Sequence, residues 1–178
     1  DDFGELSDEQ VMQLREEHPG CALFLEQRVD YSFWAPEGFG TADCVLGNDY
    51  ELIIVDYKNG TGVPVSAAGN PQLRLYALGA MKRFSVLYDF DCVTYYIVQP
   101  HLNSVSHEMC DCELLELWAQ NTVRPAAELA YEGKGEFVPG EHCRFCAAKA
   151  VCVLQRINHH IFTDVDLLQH NVETVTNH

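Results

Sequence analysis

The sequence predicts an α/β domain, and three observations carry that prediction. Alternating apolar runs occur at residues 22–31, 41–46 and 51–57; a proline-started helical pattern follows at 71–84; two more strand patterns at 92–99 and 104–110 precede a long helical one. With 178 residues, 47% of them hydrophobic, the chain is long enough for one domain with a real core. No window approaches a membrane-spanning apolar run, and the opening DDFGELSDEQ lacks the basic and apolar regions of a secretory signal. A membrane role is therefore not expected.

Each element has a local cause. Ser7 followed by Gln10 resembles a capping box, which gives a short polar helix over about residues 8–17, ended by His18, Pro19 and Gly20. After the first strand, FWAPEGFG is an aromatic, proline and glycine loop, and Gly47 to Tyr50 form a tight hairpin turn between TADCVL and ELIIVDY. The stretch NGTGVPVSAAGN is a loop, and Asn70 then Pro71 supply an N-cap and a first-turn proline for a helix through about Phe84. A helix from about Glu113 to Tyr131 is stopped by Gly133 and Gly135, with Pro125 inside it as a kink or break. One more helical stretch is expected from Cys152 to about Asn158. The tail 159–178 is polar, and its four histidines have no regular ligand spacing.

The chemistry-bearing residues cluster on the second hairpin. With Asn48 and Asp49 as the two turn residues, Gly47 lies opposite Tyr50 and Asp43 opposite Ile54. Side chains alternate, so Asp43, Ile54, Asp56 and Lys58 share one face, and two carboxylates and an ammonium converge at the hairpin end. Leu52 to Val55 are apolar on both faces, the mark of a strand inside a sheet. Charges at the end of such a strand make sense if Asp43 and Asp56 ligate a hard cation, Mg or Mn, beside Lys58. A D-x-K triplet alone describes a strand-end ion pair equally well. The added features are the parity of Asp43 and a following helix that carries Gln72 and Tyr76 one turn apart near its start, where a phosphate could be received.

The segments GTAD, IIVDYK and NPQLRLYALGA resemble the RecB-type branch of the PD-(D/E)xK nuclease superfamily over about residues 22–157. That pattern is an Asp on one strand, Asp or Glu-x-Lys on the next, and Q-x-x-x-Y on the following helix. The similarity is greatest to a phage-associated group of such proteins. It implies a restriction-endonuclease-like core, a mixed central β-sheet flanked by helices, within one nuclease-like domain at 1–158 that includes a cysteine-cluster segment at 139–157. The resemblance further implies metal-dependent hydrolysis of DNA, by an exonuclease in recombination, repair or phage biology. Asp43, Asp56 and the Tyr57 carbonyl become metal ligands, Lys58 the catalytic lysine, and Gln72 and Tyr76 residues contacting DNA. Glu26 is an additional candidate acid, equally well read as a solvent-facing strand residue. The family's upstream helix with its metal-binding His has no equivalent here, since His18 sits in an H-P-G turn. The chain is accordingly expected to begin after that helix.

Cys143, Cys146 and Cys152 form C-x2-C-x5-C, close enough for three thiolates to reach one metal. On spacing alone, zinc completed by His142 or a distant cysteine and a four-iron cluster serve equally. The RecB-like resemblance, which extends to CRISPR-associated RecB-like exonucleases, implies a [4Fe-4S] cluster closed by an early cysteine, either Cys21 or one upstream of this chain. Such a cluster would staple the fold. Cys44 and Cys92 read as core, and Cys110 and Cys112 as buried strand-end residues. This cysteine usage favours a reducing, cytoplasmic setting over a disulfide scaffold.

The net charge of −16 opposes tight DNA binding by the chain alone, because phosphate contacts call for clustered Lys and Arg. Bound cations invert a local field, and Arg74, Lys82, Arg83, Lys134, Arg144, Lys149 and Arg156 lie on segments near the candidate sites. Two alternatives remain beside the nuclease: a catalytically inactive module that presents this fold to a recombination or replication protein, and a zinc-ribbon-like interaction domain.

Overall fold

A computed structural model describes residues 20, 22–60, 63–138, 140, 143, 146–148 and 151–152. The chain divides into two compact units, residues 1–133 and 134–178, where the sequence reading has one domain running to 158. The helices expected at 8–17 and after Cys152, the histidine-containing tail, His18, Cys21 and His142 lie outside the described residues.

The first unit is an α/β fold around a five-stranded mixed sheet. Strands β1 (Ala22–Asp30), β2 (Phe39–Gly47), β3 (Glu51–Tyr57), β4 (Cys92–Gln99) and β5 (Ser104–Asp111) lie in that spatial order. All neighbours are antiparallel except β3 and β4, which run parallel. A parallel pair needs a crossover, and helix α1 (Pro71–Phe84) supplies it. Asn70 caps α1 by accepting from the N–H groups of Gln72 and Leu73, and Pro71 follows at the first helical position.

Helix α1 covers one face of the sheet. Leu73, Ala77, Leu78, Ala80 and Phe84 pack there with Val29, Val45, Leu52, Ile54, Val93 and Ile97. Close approach is possible because Gly79 faces β1: a Cβ there would lie 3.0 Å from Val29 Cβ and 3.1 Å from the Asp30 backbone. The face away from α1 keeps Leu25, Tyr57 and Met109 exposed. Cys44 lies on that face, and both it and Cys92 are only half-buried, so neither belongs to the core as the sequence reading expects.

The second helical region is broken as Pro125 demands. Helix α2 (Cys112–Trp118) passes into a π-helical turn (Ala119–Val123) and then α3 (Arg124–Tyr131). The proline ring forbids the ordinary i to i−4 hydrogen bond, and the widened turn just before it absorbs the mismatch. Gly133 then takes a left-handed φ of 68° just past the helix end. Arg124 ties this region to the β1–β2 loop, donating to Phe33 O at 3.2 Å and lying 4.7 Å from the Trp34 ring centre.

Among the described residues Tyr95 is the largest fully buried side chain, and its hydroxyl has no hydrogen-bond partner there. Burial, above all, pushes that hydroxyl far above the usual tyrosine range, so it stays neutral. An unsatisfied buried hydroxyl costs about 1–3 kcal/mol. Tyr95→Phe is therefore expected to stabilise the protein by about 1 kcal/mol, seen as a rise of about 2–4 °C in the thermal midpoint. A lower midpoint would mean that the hydroxyl is held by a bound water.

Candidate active site

The hairpin that carries the acidic residues folds in a register two residues from the expected one. Cys44 pairs with Val55 and Gly47 with Leu52, which makes Asp49 and Tyr50 the turn residues in place of Asn48 and Asp49. Asn48 explains the shift. Its side-chain oxygen accepts from the N–H groups of Tyr50 (3.0 Å) and Glu51 (2.7 Å), while its own N–H donates to Glu51 O. An even displacement preserves facing, and one further step along the ladder sets Asp43 beside Asp56 where the sequence reading has Ile54.

The ladder between β2 and β3 ends at Cys44 and Val55, and Asp43 occupies the place where the strands part. Its Oδ2 accepts the Tyr57 N–H at 2.7 Å, standing in for a backbone carbonyl of the missing rung. A matching break lies between β1 and β2. Pairing is continuous in register on both sides, yet the Glu26–Asp43 pair is absent, and Glu26 adopts a φ of 49°. Inward-facing positions change parity across this point, from Ala22 and Phe24 to Val29 on β1 and from Val45 to Ala42 on β2. Such a break in the pairing re-aims side chains, here around Asp43. Glu26 itself is exposed.

Asp56 continues the inward series of Leu52 and Ile54 and is only 6% exposed. Lys58, two residues on, places Nζ 2.7 Å from Asp56 Oδ2. The contact is an ion pair, and among the described residues this buried oxygen has no other partner. Its Oδ1 and that of Asp43 accept no hydrogen bond among the described residues. Two carboxylates with open lone pairs, beside a backbone carbonyl at Tyr57, suit a hard cation. Among the described residues no group of three or more His, Cys, Asp and Glu side chains converges, so Glu26 does not join Asp43 and Asp56 in one ligand set.

Helix α1 brings the other two candidates together. Gln72 Nε2 donates to the Tyr76 hydroxyl at 3.0 Å, and the Tyr76 ring lies against Gly40 of β2. The start of α1 is not open to a phosphate in the way the sequence reading expects, since Asn70 already takes two of its N–H groups. Arg74, counted among the basic residues near the site, is taken by Glu108, with both carboxylate oxygens at 3.2 Å from its Nη2.

Three positioning residues escape the sequence reading. The loop between β3 and α1 is fastened from across the sheet: Gln99 accepts the Val65 N–H (2.7 Å), Ser106 Oγ accepts that of Ala67 (3.0 Å), and Glu108 that of Gly69 (3.0 Å). Gln99 is nearly fully buried, so its amide oxygen depends on this bond for a partner. Their signal in the sequence is polar residues at the inward positions of β4 and β5, but the partners lie too far along the chain to be paired by pattern. His101 adds a contact at the same end of the sheet, its Nε2 lying 3.0 Å from Asn59 Oδ1.

In the second unit, Cys143 and Cys146 share successive tight turns: Cys143 N–H donates to Gly140 O (2.9 Å) and Cys146 N–H to Cys143 O (3.3 Å). Cys152 closes a helical turn on Ala148 O. Cys146 is exposed and the other two half-buried, and the three thiols do not converge on one point.

No described helix is long and apolar enough to cross a membrane. A solved structure described as "Crystal structure of SSO0001" is similar to this chain at 13% identity, with a TM-score of 0.40. The match covers 75% of this chain and 60% of that one, so the chain spans less than two thirds of that protein's length. The chain belongs to the family described as "Protein of unknown function (DUF2800)", whose model matches residues 1–176.

Proposed function

We propose that this protein is a divalent-metal-dependent deoxyribonuclease that trims DNA from strand ends. The observation that carries the reading is the Asp56 carboxylate, buried at the end of β3 with the Lys58 ammonium 2.7 Å from its Oδ2, next to Asp43 at the parting of β2 and β3. Mg or Mn held by Asp43, Asp56 and the Tyr57 carbonyl would polarise the phosphoryl group and lower the pKa of a bound water. Lys58 holds the Asp56 carboxylate in place and offers positive charge to the phosphoryl oxygens as negative charge builds on them. Water adds to phosphorus, one P–O ester bond breaks, and the products are a phosphate monoester and a free hydroxyl. Gln72 and Tyr76, locked to each other, orient the strand from α1.

Cys143, Cys146 and Cys152 are proposed as a structural metal site, iron-sulfur or zinc, in the second unit. The seven described cysteines are all unpaired, which fits a reducing compartment such as the cytoplasm. The acidic charge of −16 favours a second reading, a catalytically inactive module for a recombination or replication protein.

Manganese-dependent degradation of linear single-stranded and duplex DNA by the full-length protein separates the two. Lys58→Ala is expected to lower the rate by about 100-fold or more. A wild-type rate in that variant defeats the nuclease assignment, as does a wild-type protein with no manganese-dependent activity.

A further inference from the structure

We infer that a groove at the opposite end of the sheet from Asp56 and Lys58 is a docking site for a lysine- or arginine-rich segment of a partner protein. The groove has a volume of about 870 Å³ and is bounded by the β1–β2 loop, the end of α1, the α1–β4 link and α2. Its acidic wall sits at the start of β4, where Asp91 precedes Cys92, whereas Asp56 and Lys58 lie at the far end of the parallel neighbour β3; Phe33 and Trp34 reach the groove from the β1–β2 loop. Strand length separates the two by roughly 20 Å.

The charge of this groove is one-sided. Asp89 and Asp91 come from the α1–β4 link, Asp111 from the end of β5, and Glu113 and Glu116 from α2; among the described residues Lys82 is the sole basic one in the lining. None of the five carboxylates has an ion pair or a side-chain hydrogen bond among the described residues. Their field is felt locally. Burial first, then Cys92, Glu116, Cys110 and Asp91, push the Cys112 thiol up to about 12. Asp91 and Asp111 also help to raise Cys92, after burial and Glu51.

Two further features select the occupant. Phe33 and Trp34 on one wall and the Tyr88–Phe90 pair on the other give aromatic faces to which ammonium and guanidinium groups are attracted. The protein already uses Phe33 in this way, with Arg124 at 4.8 Å and Lys82 at 5.8 Å from its ring centre. No three of the carboxylates converge as metal ligands do. Spaced anionic charges with aromatic walls match a flexible chain bearing several cations better than a chelated ion, and they repel nucleic acid.

The test is fluorescence anisotropy of a labelled oligolysine peptide titrated with the full-length protein at low salt. A triple variant, Asp91→Asn with Glu113→Gln and Glu116→Gln, is expected to weaken binding by about 10-fold or more, and Trp34→Ala by several-fold. A control triple, Asp49→Asn with Glu128→Gln and Glu136→Gln, removes the same charge from exposed positions elsewhere and is expected to change affinity by no more than about 2-fold. Equal losses from the two triples would reduce the effect to net charge and overturn the proposal, as would absence of binding. Spermine displacing the peptide at equal concentration would overturn the peptide in favour of a small polyamine. Manganese-dependent DNA degradation by the groove variant should match wild type, so failure here is distinguishable from failure of the nuclease reading.

Discussion

Asp56→Asn is expected to lower DNA hydrolysis by about 1,000-fold or more while leaving the metal-free protein at least as stable as wild type. The two effects diverge because the carboxylate works against folding and for chemistry. At 6% exposure it has lost most of its water, and Lys58, whose ammonium lies against it, has a side chain 33% exposed. An amide of the same size removes the buried charge and leaves the ammonium free to turn to solvent. It also removes a strong ligand for a hard cation. Thermal melts with and without manganese check both halves. Saturating metal at about 100 times its dissociation constant should stabilise wild type by about 2.7 kcal/mol, a gain that the variant loses. If wild type and Asp56→Asn show the same manganese-dependent rise in midpoint, Asp56 is not a metal ligand. Asp56→Ala is the poorer probe, since it adds a cavity to the loss of charge.

The parts of this site that local rules govern are legible in the sequence. Asn70 and Pro71 announce the start of α1, the doubly apolar run Leu52 to Val55 places β3 inside the sheet, and the spacing of Gln72 and Tyr76 forecasts their contact. Pro125 likewise signals the break that the π-helical turn resolves. What stays hidden depends on competition between partners. Asn48 is an acceptable turn residue by composition, yet its side chain does more as a cap for Tyr50 and Glu51, and that choice moves the register by two. The break at Glu26 and Asp43 has no period of its own, because facing changes on both strands at once and the pairing resumes unaltered. Arg74 reads as a free cation near DNA until Glu108, 34 residues away, is folded against it. Gln99 and Ser106 are invisible for the same reason. Strand pairing, not local pattern, decides whom they meet.

Gly40→Ala should be the most damaging conservative change on this face. A Cβ at Gly40 would stand 2.3 Å from Tyr76 Cε1 and 2.9 Å from Cζ, well inside contact distance. Helix α1 cannot retreat to make room without opening its close packing at Gly79, where Val29 and the Asp30 backbone already lie at about 3 Å from a Cβ position. The ring must therefore swing away, and the 3.0 Å bond from Gln72 goes with it. Overpacking of this kind costs about 1–3 kcal/mol. On the proposed function, DNA hydrolysis is expected to fall by about 10-fold or more, because misplacing the group proposed to orient the strand loses the reacting geometry even with both carboxylates intact. A double-mutant cycle isolates the cause. In a Tyr76→Ala background the three atoms nearest to the new methyl group are gone, so Gly40→Ala should add less than about 0.5 kcal/mol to the loss of stability and leave the residual rate unchanged. Additive losses in the cycle would mean that Gly40 acts through the strand backbone, and the Gln72–Tyr76 pair would lose its place in the site.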